Sequence, residues 1–508
     1  MAQQLQNITI AAPSFYGVNT QDSPVQQDAG FAAQANNAVI DKSGRIAARK
    51  GYTYVSTNGA DVLGSSRGIT TLAEFVANDG TVAVISAGNN KIFTGTTTLV
   101  DATPAAYTIT ADDWKFVSFN DHLYMFQRGH EPLVYSDHAG VVEAMTSHTH
   151  ATGTPPEGNE VLAAYGRLWV GDIEDDGNTL YWSDLLNGSG WSGGSTGSLD
   201  LQNYWSNGTD SIVALAAYNG YLIVFGKKTV LIFSGAESPS TMTLTDTITN
   251  VGCIARDSVQ DIGTDLIFLS DAGIRSLGRT IQEKSNPISL ISRNVNNDVL
   301  EALAQETLPI KSIYSQQEGF YLITFPSSNI VYCFDTKLPL QDGSLRATTW
   351  TAIKPISLAI FADRSLKLGL IEGFATYTGH YDNADTSYTM AYFSHPLDFQ
   401  SPATIKMLKT VSVALVGNFT TQAILRWGYD YATNYYSANL TLSGQTVAEY
   451  NVSEYNECEY TSGVLVNYPR VNTKGSGNNI TIGVETIVAG GSLSVQKFDI
   501  LALIGRLY

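Results

Sequence analysis

Residues 210–234 read Asp-Ser-Ile-Val-Ala-Leu-Ala-Ala-Tyr-Asn-Gly-Tyr-Leu-Ile-Val-Phe-Gly-Lys-Lys-Thr-Val-Leu-Ile-Phe-Ser. Three short apolar runs stand out, at 212–218, 221–225 and 230–233. Asn219-Gly220 joins the first pair and Gly226-Lys227-Lys228 joins the second. Asn-Gly is the favoured two-residue hairpin turn, because both central positions of a type I′ turn need positive φ. The runs are too short for helices and are rich in β-branched and aromatic residues, so they read as strands of a three-stranded meander.

The pattern recurs. Strand, polar turn and strand return at 116–126, 161–170, 258–269 and 313–325, each followed by a third short run, at 133–135, 180–182, 273–277 and 330–334. Weaker copies lie at 81–93 and 357–370. The middle strands are marked by Val82, Leu123, Leu168, Leu222, Leu266, Leu322 and Leu368. Their spacing of about 40 to 55 residues matches a four-stranded propeller blade. The alternative, unrelated hairpins in a sandwich or barrel, needs two or three domains, and no linker separates Gly68 from Gly379. A closed ring also removes the exposed sheet edges that a long all-β chain must manage. The expectation is an all-β chain whose core, about 66–380, is a propeller. Seven blades are favoured, with six as the alternative because the first and last copies are weak.

With 508 residues the chain exceeds one ordinary core. Its formal net charge of −18 argues against a general attraction to nucleic acid or anionic membrane. Cys253, Cys333 and Cys458 form no CxxC pair and no metal spacing, and read as free, mostly buried thiols in a protein assembled in a reducing compartment. The first residues lack the charged and apolar regions of a signal peptide, and no apolar run is long enough to span a bilayer. The Asn-x-Thr triplets at Asn207 and Asn439 mean only that Asn and Thr are common here.

Residues 1–65 are polar and too poor in apolar surface to fold alone. Phe31 to Ala35 and Asn37 to Ile40 look like strand, with a turn at Asp41-Lys-Ser-Gly44. Residues 187–207 read as a Gly/Ser/Trp-rich loop between blades. Residues 292–306 carry Val295, Val299, Leu300 and Leu303 at helical spacing, with Ser292 as candidate N-cap. After Tyr381 the strands lengthen and alternate, as in Val411, Val413 and Leu415, and in Ala423, Leu425, Trp427 and Tyr429. This is the style of antiparallel strands with one buried face. Residues 381–508 are therefore expected to form a second β domain, a platform completed by residues 1–65, with the propeller inserted between its halves. On this reading residues 1–60 pair with the C-terminal strands and not with the propeller, and Gly68 lies near Gly379.

The run Asn37-Ala-Val-Ile-Asp-Lys-Ser-Gly-Arg-Ile-Ala-Ala-Arg-Lys-Gly-Tyr52 resembles the opening of tail nozzle proteins of short-tailed bacteriophages, also called tail tubular protein B. There an asparagine, a strand and a Gly-Arg-led turn precede Arg-x-Gly. The blade at 252–274, the helix after it and His395-Pro-Leu-Asp-Phe399 are similar to that family too. The resemblance spans most of the chain in the order of its parts, while each motif alone is weak. It implies a structural virion protein of the tail, assembled in the host cytoplasm as a homohexameric ring. It further implies contacts to an adjacent tail adaptor ring and to tail fibres or spikes, and a channel through which DNA is ejected without specific binding. This chain is short for the family.

Catalysis is not expected. Ser270-Asp271-Ala-Gly273 lacks the spacing and the Trp of a sialidase Asp box and reads as a β-turn. No local motif selects a carboxylate pair for glycoside hydrolysis. Asp172-Ile-Glu-Asp-Asp-Gly-Asn178 has the wrong alternation for a calcium loop. His148 and His150 could meet a metal on one strand face, but no third ligand is near in sequence. Trp191 and Trp205 are candidates for a contact surface. No phosphate loop, HExxH or GxSxG occurs. The expectation is no catalytic, cofactor-binding or metal-ligating residue, with no cofactor. The competing class is a propeller glycoside hydrolase or carbohydrate-binding protein.

Overall fold

The computed structural model describes residues 4–505 apart from 25–26, 57–67, 137–139, 207, 279–289, 418–422, 432–433 and 441–464. The quoted stretch forms antiparallel strands Ile212–Tyr218, Tyr221–Gly226 and Thr229–Ser234, and Thr243–Thr249 completes the sheet. Asn219 and Gly220 both take positive φ, at 49° and 79°, as the turn requires. The middle strand is apolar throughout because it is buried on both faces. Leu222 and Val224 pack with Trp169 and Trp182 of the sheet before it, and Ile223 and Phe225 with Leu266 and Phe268 of the sheet after it.

All seven marker residues lie on the second strand of a hairpin. Six sheets stand alone. Five have four strands, and that at 260–276 has three among the described residues. The strands between Lys311 and Trp350 behave differently. The last of them, Arg346–Trp350, carries on through Gly17–Val18, Phe31–Asn36 and Tyr388–Ser394 into a ten-stranded sheet. The favoured count of seven blades is thus corrected to the alternative of six, with the sixth repeat in chain order merged into a larger sheet. The reason is edge coverage, since the outer edge of Arg346–Trp350 is paired by N-terminal strands instead of facing solvent.

The N-terminal segment also departs from expectation. Gln4–Ala11 pairs with Leu493–Ile504, and Phe31–Asn36 with Tyr388–Ser394. Tyr52–Tyr54, however, adds to Gly373–Tyr377 as the outermost strand of the sheet at 357–377. The pairing with C-terminal strands is thus found for most of the segment, while Tyr52–Tyr54 pairs with the propeller against expectation. The last sheet would otherwise present a bare edge, and a strand from before the ring closes it. The neighbour of Gly379 is accordingly Gly51, whose N–H donates to the Gly379 carbonyl at 3.0 Å.

Below the ring, an eight-stranded sheet built on Lys406–Gly417 and Leu493–Ile504 faces the ten-stranded sheet. Val411, Val413, Phe498 and Ile500 share one core with Tyr392, Leu425 and Val484. Phe15 meets Tyr392 edge-on at 5.7 Å, and Tyr392 stacks on Phe498. The helix runs Asn296–Gln305, shorter than expected, after a 3-10 turn at Arg293–Val295. Ser292 is not its N-cap. The Ser292 hydroxyl accepts from the Ile274 N–H and donates to Asn296 Oδ1, tying the helix to the sheet at 260–276.

Cys253 and Cys333 are buried, and burial pushes the Cys253 thiol up to about 11 and raises Cys333 as well. Cys458 and Asn207 lie outside the described residues. At neutral pH the two described thiols should resist alkylation in the folded protein and react on unfolding. Peptide mass spectrometry reads this directly, and modification of either in the native state would contradict it.

Candidate functional site at the propeller axis

Charged side chains sit where several innermost strands begin. Asp113 and Lys115 lead into Lys115–Phe119, Asn159 and Glu160 lie in Gly158–Ala164, Arg256 and Asp257 form the turn before Gln260–Asp261, and Lys311 opens Lys311–Ser315. Sheets that are not neighbours around the ring can touch only at its axis, and these residues do. Arg256 Nη2 donates to Asp113 Oδ1 at 2.8 Å and Asp257 Oδ2 at 2.7 Å, while Nη1 reaches Asn159 Oδ1 at 2.6 Å and the Asn159 carbonyl at 2.8 Å. Lys311 Nζ donates to Asp257 Oδ2 at 2.7 Å. Beside this cluster Lys115 Nζ bridges both oxygens of fully buried Glu160, which also accepts from the Leu215 N–H. A cavity of about 310 Å³ opens over the cluster, between Arg128, Asp172, Glu306 and Leu308.

Burial works against the Arg256 charge, but Asp113 and Asp257 outweigh it and raise its pKa. Burial alone would raise Asp257, yet Arg256 and Lys311 hold it well below the usual carboxylate range. Glu160 goes the other way, because desolvation exceeds the pull of Lys115 and Arg256. Every side of the Arg256 fork meets a protein acceptor, so the group cross-links strands across the bore. Asp257, depressed in the fold, contributes stability above its unfolded value of about 4 that is lost as pH falls. Asp257→Asn should therefore flatten the acid-side fall of the melting temperature in that window. Parallel melting curves for the two proteins against pH would contradict this.

A second buried pair stands where the chain passes into the propeller and out of it. Arg49 is fully buried and grips Asp382 through two bonds, Nη1 to Oδ1 at 2.8 Å and Nη2 to Oδ2 at 2.6 Å. Its Cζ lies 3.9 Å from the Tyr388 ring centre, and its Nε donates to Asn37 Oδ1. Asn37, at φ 51°, also donates to the Thr389 carbonyl and accepts from the N–H groups of Thr351 and Ala352. A Cβ on Gly51 would meet the Tyr381 carbonyl oxygen at 1.8 Å, so only glycine lets the two passing segments touch there.

Residues 37–354, which hold both Arg49 and the whole axial cluster, match the family described as bacteriophage P22 Gp10, beta-propeller. The chain belongs to this P22 Gp10 propeller family. The match supports reading it as a phage structural protein. No curated protein matches it. Among solved structures, the Pan2 WD40 domain of Neurospora crassa is similar at 11% identity and TM-score 0.36, covering 65% of this chain and 95% of that one. PorZ, a bacterial surface component of the type-IX secretion system of Porphyromonas gingivalis, is similar at 10% identity and TM-score 0.33, over 61% of this chain and 36% of that one. A protein from Lactobacillus plantarum reaches 12% identity and TM-score 0.34, over 65% and 91%. Likenesses this distant carry no argument.

In this P22 Gp10-family chain Asn37 and Arg49 of the quoted N-terminal run belong to the second cluster and Arg256 of the quoted blade to the first, whereas the candidates for chemistry lie apart from both, except Asp172 at the cavity rim. Ser270 and Gly273 are a cross-strand pair flanking a turn, and the Ser270 hydroxyl donates to the Gly273 carbonyl. In the 172–178 loop Asp172 pairs with Arg128, and Asp176 accepts from Thr179 and Tyr181. His148 does gain a third imidazole, His122, with ring centres 4.8 Å apart, and His150 lies at 5.5 Å. Among the described residues, no group of three or more His, Cys, Asp and Glu side chains is arranged to hold a metal ion. Half-buried Trp191 donates to the Gly188 carbonyl, and buried Trp205 donates to Asn178 Oδ1 and packs in one cluster with Trp169 and Trp182. Among the described residues no helix is long and apolar enough to cross a membrane. The axial cluster escaped sequence reading because its partners stand up to 198 residues apart. The available signal was a charged side chain recurring near the start of otherwise apolar innermost strands.

Proposed function

We propose that the chain is a tail nozzle subunit that assembles into a homohexameric ring, with a central channel through which DNA is ejected. The family match over residues 37–354 is the observation that carries this reading. The axial cluster supports it, since a bore cross-linked by Arg256 suits a rigid wall element. On this reading DNA passes between subunits and not through a propeller. Residues 66–380 act as the propeller, closed by Tyr52–Tyr54. The sheet at 311–350 joins the propeller to the platform, which the strands before Tyr52 and those of 381–508 together form. The ring sits in the virion tail, between an adaptor ring and fibres or spikes, and has no catalytic role. The acidity of the chain is consistent with a conduit that must release a polyanion.

Quantitative mass spectrometry of purified virions tests the reading. The expected result is this chain at six copies per particle. Its absence from virions, or turnover of a glycan panel by the purified protein, would overturn it.

A further inference from the structure

The eight-stranded sheet has one face in the core and one face outside. Strand register places three cross-strand rows on the outer face. Leu5, Leu503 and Met407 form the first, Asn7, Leu501, Thr410 and Asn472 the second, and Thr9, Asp499, Ser412 and Arg470 the third. Leu5 is 56% exposed and Met407 40%. The charges here run against the rest of the chain. Apart from buried Lys406, the described strands of this sheet hold Lys409, Arg470 and Lys497, against one carboxylate, Asp499, which already pairs with Lys497 at 2.8 Å. Lys409 and Arg470 are exposed, and exposed Lys474 follows them. Residues 71–380, in contrast, carry about twice as many acidic as basic side chains.

The same sheet ends in an unguarded edge. Gln4–Ala11 makes eight consecutive register pairs with Leu493–Ile504 and has no bulge. Among the described residues its other side is unpaired, and its sequence, QLQNITIA, holds no charge and no proline. Natural sheets blunt such edges unless something covers them.

We propose that this basic outer face and its free edge form the surface by which one copy of the chain seats on the acidic propeller of the next. The inference rests on the ring reading above and names the contact that would build it. Charge complementarity favours a second copy as the occupant, because a chain at net −18 can approach itself only where the sign reverses or the charge vanishes. A contact between two different surfaces is head-to-tail, which is the kind that closes rings. Nucleic acid would also be drawn to the lysines and arginine, but the apolar row and the unpaired backbone have no counterpart in a phosphate backbone.

The test is sedimentation velocity on the full-length protein and two variants, Lys409→Glu/Arg470→Glu and Met407→Asp, with far-UV circular dichroism and melting temperature as controls for folding. Wild type should self-associate, and more weakly at high ionic strength. Each folded variant should associate at least about tenfold more weakly. Folded variants that assemble like wild type would overturn the proposed surface while leaving the ring reading intact. Wild type that stays monomeric at high micromolar concentration would overturn both. Self-association unchanged in the charge-reversed variant, with loss of binding to a labelled DNA duplex, would reassign the face to nucleic acid.

Discussion

Replacing Arg49 with alanine should lower the free energy of unfolding by about 3–5 kcal/mol, the cost of leaving one partner of a buried pair uncompensated. Arg49 has no solvent exposure and Asp382 is 6% exposed, so water cannot take over the lost bonds. The guanidinium also holds the Lys50 carbonyl at 2.8 Å and lies over the Tyr388 ring. Its removal therefore loosens Lys50–Tyr52 against the segment at 378–383, where the chain enters and leaves the propeller. Asp382→Ala should cost a similar amount. A joint Arg49→Met/Asp382→Leu change should cost less than either, because no charge is then left buried. Urea unfolding of the three variants measures this. Losses of no more than about 1 kcal/mol, the scale of a surface pair, would contradict the clasp.

Replacing Arg256 with alanine should cost about 3 kcal/mol, the lower end of the same range, because Lys311 remains to hold Asp257. The effect should spread beyond its own sheet. Arg256 tethers Asp113 and Asn159, so hydrogen exchange should accelerate in Lys115–Phe119 and Gly158–Ala164, which are distant in sequence. Arg256→Lys keeps the charge but loses the planar fork, and should fall between wild type and alanine. Unchanged exchange in those two strands would show that the axial cluster does not cross-link the ring.

The hairpins were legible because their signals are local. Asn219-Gly220 states its own turn, and Leu222 to Phe225 is apolar at every position because neighbouring sheets bury both faces of the strand. What stayed hidden depends on the ring as a whole. Nothing in Tyr-Thr-Tyr at Tyr52–Tyr54 announces that it closes a sheet more than three hundred residues later. Arg346–Trp350 is the fourth strand of its repeat, and only the paired N-terminal strands reveal that its sheet continues. Ser292 has the chemistry of an N-cap, yet its hydroxyl is taken by Ile274 and Asn296. His122 reaches His148 only through the fold, and Trp205 carried no mark of its burial. The axial cluster and the Arg49–Asp382 pair join residues up to 333 positions apart, and no spacing rule in a single sequence connects them.

The proposed function makes each propeller a wall element of a closed ring. Electron microscopy of the purified full-length protein tests it most directly. The expected result is sixfold rings with an open centre and the propellers arranged around it. Isolated particles of single-chain size at every concentration, or rings whose symmetry is not sixfold, would contradict it.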